Sequence, residues 1–559
     1  MRGRLVLAAV LALCAGAAAA RPAPVVQAPA GAARGEALGD LNVFRGVPYA
    51  APPVGPLRWK PPLPLPRWEG VRQATQFGPA CLQPRSTPGS IYASELPQLS
   101  EDCLTLNVWA PKDAPKDAGG APVMVWIHGG SLVAGSSREA MYDGAALARR
   151  GIVVVSINYR LGVLGYLAHP ELSAESPDGV SGNYGLLDQI AALTWVKRNI
   201  AAFGGDPANV TVAGESAGGL SVMCLMASPL ARGLFHRAIL QSAYMVSTPE
   251  LKERRFGMEP AEAAGAELAQ RLGAGGLAGL RAMDGVELAD KAPKAGFAPF
   301  GAIDGKVLPR QLVEVFDRGE QAPVPVLAGF NQGEIRSLRR LAPPKPASAA
   351  DYEREIRARY GDLADDFLKL YPSTDLGESV IATTRDALYG WTAERLARKQ
   401  TELGQPAFLY LFDHGYPAAD ERDLHAFHAS EIPYVFGTAD RTPPAWPKPP
   451  ASSAETRLSA AIQGYWSAFV KTGAPAAPGQ PAWSPYGDTR AYMAFEAAPR
   501  RKTGLMPGMY ELNEAVVGRR RAHGGIPWNW NVGVVSPPLP PPGSSPSPSP
   551  SAPVSPESR

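Results

Sequence analysis

The chain has 559 residues, of which 45% are hydrophobic and 19% charged, and its formal net charge is +3. That apolar content excludes disorder along the whole length and is enough to bury a large core. A charge this small for the size gives no basis for nucleic-acid binding.

The first segment reads as an export signal. Arg2 and Arg4 precede an apolar run from Leu5 to about Ala17, and Ala18-Ala19-Ala20 forms a small-residue cleavage site before Arg21-Pro22. Residues 1–20 are therefore expected to be a signal peptide, and the mature chain to be secreted or periplasmic, with cleavage near Ala20. Cys14 raises a lipoprotein version, but Leu13 before it is bulkier than such sites usually accept. No later run is long enough to span a bilayer, so the mature chain is expected to carry no integral membrane segment. Residues 21–36 read as an Ala/Pro/Gly-rich leader without periodicity. Removal of the signal leaves Cys81, Cys103 and Cys224. In an oxidising compartment two of these can pair, and Cys81 with Cys103 closes a modest loop. Cys224, inside "LSVMCLMAS", reads as a buried small hydrophobe.

Further along, apolar runs of strand length recur at 122–127, 151–159, 209–213, 237–242, 324–330 and 407–412. Helical patterns fall at 139–150, 185–202 and 457–472, the last stopping at Gly473. Strands alternating with helices predict an α/β fold with a large, mostly parallel central sheet covered by helices on both faces. The body is expected to run over 21–535 and a Pro/Ser-rich disordered tail over 536–559. Arg519-Arg520-Arg521 reads as a solvated charge run, and "PWNWN" at 527–531 has no assigned role.

In such sheets ligands bind beyond the carboxyl ends of the strands. The strand at 122–127 is followed by His128-Gly129-Gly130-Ser131, and that at 209–213 by Gly214-Glu215-Ser216-Ala217-Gly218. "NQGE" follows 324–330, and "HAFHASEIPYVFG" comes after 407–412 at some distance. Gly-x-Ser-x-Gly alone is a weak signal; a serine, an acid, histidines and a glycine pair at one sheet edge is a strong one. A serine hydroxyl becomes nucleophilic when an imidazole takes its proton, and a carboxylate fixes that imidazole's tautomer. Glycines in "HGGS" let backbone amides reach a tetrahedral oxyanion. Spacing does not choose between His425 and His428, which lie three residues apart and share a helical face. An unperturbed imidazole base predicts activity rising through about pH 6–7.

With these residues in view, the chain resembles the type-B carboxylesterases, the α/β-hydrolase family of carboxylesterases, cholinesterases and bile-salt lipases. The resemblance rests on "FRGVPYAAPPVGPLRWKPPLP" (44–64), "SEDCLTLNVWAP" (100–111), "VMVWIHGGSLVAGS" (123–136), the stretch from 182 through "GESAGG" to 219, and "HASEIPYVFG" (428–437). It implies an α/β-hydrolase fold and cleavage of small carboxylic esters with neither cofactor nor metal. Carried over, Ser216 is the acyl-forming nucleophile, Glu334 the acid and His428 the base. Gly130, Ser131 and Ala217 supply the oxyanion amides, and Cys81–Cys103 matches the family's first disulfide. Many members have Asp-Glu-Gly around the acid where this chain has Gly333-Glu334-Ile335. Between those cysteines the only aromatic is Tyr92, and no tryptophan stands there to meet a choline, which argues against a dedicated choline ester. Two other readings are a catalytically silent adhesion or binding member, and an amidase or thioesterase using the same triad.

Overall fold

The computed structural model describes residues 22–114, 119–487, 489–529 and 531–543. The expected signal peptide and residues 544–559 of the expected tail lie outside them. An 11-stranded mixed sheet forms the centre. In chain order its strands are β1 (Glu36–Leu38), β2 (Leu41–Pro48), β3 (Thr105–Pro111), β4 (Ala121–Ile127), β5 (Val153–Ile157) and β6 (Gly205–Glu215). They continue with β7 (Arg237–Gln241), β8 (Val326–Asn331), β9 (Ala407–Phe412), β10 (Ala491–Phe495) and β11 (Pro499–Thr503). Spatial order follows chain order except that β5 lies between β3 and β4. Every pairing from β5 across to β10 is parallel. The edges, β1–β2–β3–β5 and β10–β11, pair antiparallel.

The parallel strands read as unbroken apolar runs because both faces are covered: Val123 to Ile127 and Val153 to Ile157 are buried throughout. Helices α1 (Tyr184–Asn199), α2 (Ala217–Ala227), α3 (Trp391–Glu402), α4 (Ser453–Thr472) and α5 (Met509–His523) are the longest that bear on the site. Their ends follow local chemistry. Ser452 Oγ accepts the Glu455 amide to start α4, and Gly473 at φ 82° ends it. Lys197 and Arg198 sit in the last turn of α1, where cations complement the helix dipole. The 139–150 pattern gives only a short 3₁₀ turn, Ala140–Tyr142, and one helical turn, Ala145–Ala148. Among the described residues no helix is long and apolar enough to cross a membrane.

Three segments depart from the sequence expectations. The leader is a hairpin, Val25–Ala28 with Gly31–Arg34, whose third strand is Val71–Gln73. Its alanines are small enough to pack flat: Ala33 is fully buried, and the Trp68 indole covers Gly31 and donates to Ala32 O. The arginine run is not a uniformly solvated face. Arg519 and Arg521 pair with Asp362 and Asp317, while Arg520 is fully buried and donates to Asn531 O and Ser536 Oγ. Ser536 is itself buried and Leu539 N donates to Arg359 O, so packing continues past the boundary expected at 535. Within "PWNWN", Trp528 and Asn529 belong to the core: Trp528 packs on Trp391, and Asn529 Nδ2 donates to Met245 O and Ala387 O.

Cys81 and Cys103 are joined by a disulfide across 22 positions, and Cys224 is buried. A loop of this length stabilises the fold by about 3 kcal/mol in the chain-entropy description. Denaturant unfolding with and without reductant should show that loss, and coincident midpoints would exclude it.

Candidate active site

β6 carries its chain straight into α2, and the one residue between them is Ser216, at φ 55° and ψ −121°. A non-glycine residue in that region stores on the order of 1–3 kcal/mol, held here by the packing of strand and helix. The flanking glycines permit it. A Cβ on Gly214 would lie 2.5 Å from Gly218 O, and one on Gly218 would lie 2.1 Å from Ile127 O. Only hydrogens at both positions let α2 pack this closely on β6 and β4. The Ser216 amide donates to Gln241 O, fixing the turn to β7.

Beside it, the loop after β4 turns at Gly130 (φ 103°) and Ser131 (φ 58°). A side chain on Gly130 would meet Ala134 O at 2.1 Å. The amides of Gly130, Ser131 and Ala217 donate to no acceptor among the described residues, and Gly130 and Ser131 line a cavity. That cavity, of about 620 Å³, is lined by Ser216, Gly130, Ser131 and His428 along with apolar and aromatic walls.

Glu334 begins the turn after β8 and is fully buried. Its Oε1 accepts the Asn331 amide at 2.8 Å, and its Oε2 accepts from His428 Nδ1. Gly333 makes the approach possible. It bridges to Phe427, and any Cβ there would strike Leu424 O and Ala426 O. The His428 loop is further tied to the sheet by a buried chain of hydrogen bonds. Trp466 Nε1 donates to Gln241 Oε1, Gln241 Nε2 to Glu431 Oε1, and Asn331 Nδ2 to Glu431 Oε2 and Phe427 O.

The structure thus joins Glu334 to His428 and brings Ser216 to the same cavity. Ser216 Oγ makes no hydrogen bond with a described residue; His428 Nε2 lies 3.1 Å from Glu215 Oε1 instead. Such contacts are often long before substrate arrives. Burial alone would lower the imidazole, but the charges of Glu215, Glu334 and Glu431 outweigh it and push it up to about 9. Burial pushes the Glu215 carboxyl up to about 8, with His428 opposing the shift. His425 sits apart in an exposed turn, between Asp413 and Asp420.

Sequence reasoning passed over two neighbours of His428. Glu215 was visible as the acid directly before Ser216. Tyr92, from the disulfide loop, donates its hydroxyl to His428 O at 2.9 Å and pairs with Ser337 Oγ; nothing in the spacing of that loop marks it.

Comparison with known proteins agrees with this geometry. The carboxylesterase family profile matches residues 22–511. The fumonisin B1 esterase of Sphingopyxis macrogoltabida is 40% identical over 453 residues, covering 78% of this chain and 80% of its own. The para-nitrobenzyl esterase of Bacillus subtilis is 37% identical over 467 residues, covering 81% and 90%. A solved PNB esterase structure superposes with a TM-score of 0.75 at 34% identity, covering 87% of this chain and 99% of that one. The α/β-hydrolase sheet, its site at the strand ends and the extent of these matches lead to one conclusion: the chain belongs to the carboxylesterase family and is a carboxylic ester hydrolase.

Proposed function

We propose that this chain is an exported serine esterase working through an acyl-enzyme. Ser216 Oγ attacks the ester carbonyl while His428 Nε2 takes its proton. The tetrahedral oxyanion is met by the amides of Gly130, Ser131 and Ala217, and His428 returns the proton to the departing alkoxide. Water then enters by the same route and releases the acid. Glu334 holds the imidazole with Nε2 toward the cavity and balances the imidazolium that forms. The observation carrying this reading is the buried Glu334–His428 pair on a cavity that Ser216 also lines, beside the unspent amides of Gly130 and Ser131. The two relatives are named for ester substrates, and a cavity of about 620 Å³ admits esters well beyond acetate size. Export is supported by the signal-like sequence of residues 1–20 and by the disulfide.

One measurement addresses both parts. Protein collected after export and treated with an organophosphate should show the mass of a chain starting at Arg21 plus one phosphoryl group, placed on Ser216 by fragmentation. A full-length mass removes export from the reading. An adduct elsewhere, or none, removes the serine mechanism.

A further inference from the structure

We propose that Arg85 and Arg340 form an anion subsite at the cavity mouth that selects esters bearing a second, ionised carboxylate away from the scissile bond. The inference rests on the esterase reading above and adds a substrate class to it.

The two arginines come from different parts of the chain and line the same cavity. Arg85 stands on the loop closed by Cys81–Cys103, and Arg340 on the 3₁₀ turn Arg339–Leu341 that follows the acid. Neither guanidinium forms an ion pair or a hydrogen bond with a described residue. The neighbours of Arg340 show the contrast. Arg336 and Arg339 are both bound to Asp423, and Arg336 also to Glu378. Arg340 is thus the cation of its segment turned to the cavity without a counter-charge.

The carboxylates on the cavity wall are already engaged. Glu139 accepts from Ser94 Oγ at 2.9 Å and from the Ser136 amide at 3.1 Å, and Glu215 faces the imidazole of His428. Apolar side chains line the same cavity, among them Leu338, Leu341, Phe297 and Phe300, with Phe300 42% exposed. A substrate suited to this surface has an apolar stretch leading from the scissile ester to a carboxylate that reaches the mouth. Guanidinium is the side chain matched to that group, since its planar fork pairs with both carboxylate oxygens. Because both arginines are exposed, each pair is worth roughly 0.5–0.7 kcal/mol, and the two together about a 5- to 10-fold preference.

The test uses matched esters that differ only in charge. Monoethyl suberate is compared with the same ester ending in a carboxamide, and 4-(butanoyloxy)benzoate with 4-(butanoyloxy)benzamide. One pair puts the second carboxylate on the acyl side and the other on the alcohol side. For each enzyme the readout is the ratio of kcat/KM between carboxylate and carboxamide members. Wild type should favour the carboxylate in at least one pair. The Arg85→Gln/Arg340→Gln variant should lose about 5- to 10-fold of that ratio, and added salt should reduce the wild-type preference towards the variant's. Equal ratios in the two enzymes for both pairs overturn the subsite while leaving ester hydrolysis standing. Absence of turnover of all four esters by wild type overturns the esterase reading and the subsite with it.

Discussion

Ser216→Ala should lower kcat toward ester substrates by about 10⁵–10⁶-fold while the protein still folds and binds substrate. The size of the loss follows from the role. With no nucleophile the acyl-enzyme cannot form, and what remains is the rate that oriented amides give to direct attack by water. The fold should survive because Ser216 Oγ makes no hydrogen bond with a described residue, so its removal strands no partner. The Ser216 amide bond to Gln241 O is a backbone contact that alanine keeps. Alanine also tolerates φ 55° no worse than serine does, so stability should change by less than about 1 kcal/mol. Chromogenic ester assays and denaturant unfolding measure the two halves. Turnover close to wild type would remove Ser216 from the mechanism, whatever the stability result.

The strand ends were the most legible part of this molecule, because parallel strands buried on both faces announce themselves as apolar runs and the residues after them must line the ligand edge. β4, β5, β6, β7, β8 and β9 were all visible in that way. The flanking strands β1, β2, β3, β10 and β11 were not. β11 reads Pro-Arg-Arg-Lys-Thr with four exposed residues, since its ladder to β10 and not its side chains makes it a strand. The Ala-rich leader failed for a related reason: small residues carry little periodic signal, and Trp68, far along the chain, completes their packing. Asn529 shows the same limit near the site, where one side chain from the C-terminal segment donates to Met245 O and Ala387 O, each next in sequence to a residue that lines the cavity. Glu334 and His428 were legible through resemblance, but the charge around them was not. Glu215, Glu334 and Glu431 come from three separate elements, and only the fold places all three around one imidazole.

That charge governs the pH dependence, and it separates the two histidines. His428→Ala should reduce kcat by about 10⁵–10⁶-fold and abolish the pH limb, because it removes the group that accepts the Ser216 proton. His425→Ala should leave both in place, since that ring lies in an exposed turn against Asp413 and Asp420. In wild type the base works only when neutral, so activity is present above its pKa and lost as pH falls through it. The surrounding carboxylates raise that pKa against the effect of burial, towards about 9. The acid limb of kcat/KM should therefore lie above the ordinary imidazole value of ~6.5, at higher pH than the sequence alone implies. Glu215 is the strongest of the raising charges, and its Oε1 lies 3.1 Å from Nε2. The two groups titrate as a pair. Glu215→Gln keeps the shape but removes the charge, so the limb should move to lower pH. His428 is then neutral further into the acidic range, so activity on the acidic side should rise relative to the plateau. A pH–rate series on the wild type and the three variants measures all of this. A limb that stays where it was in Glu215→Gln, or one that vanishes in His425→Ala and persists in His428→Ala, would overturn the assignment of the base and of the charge that tunes it.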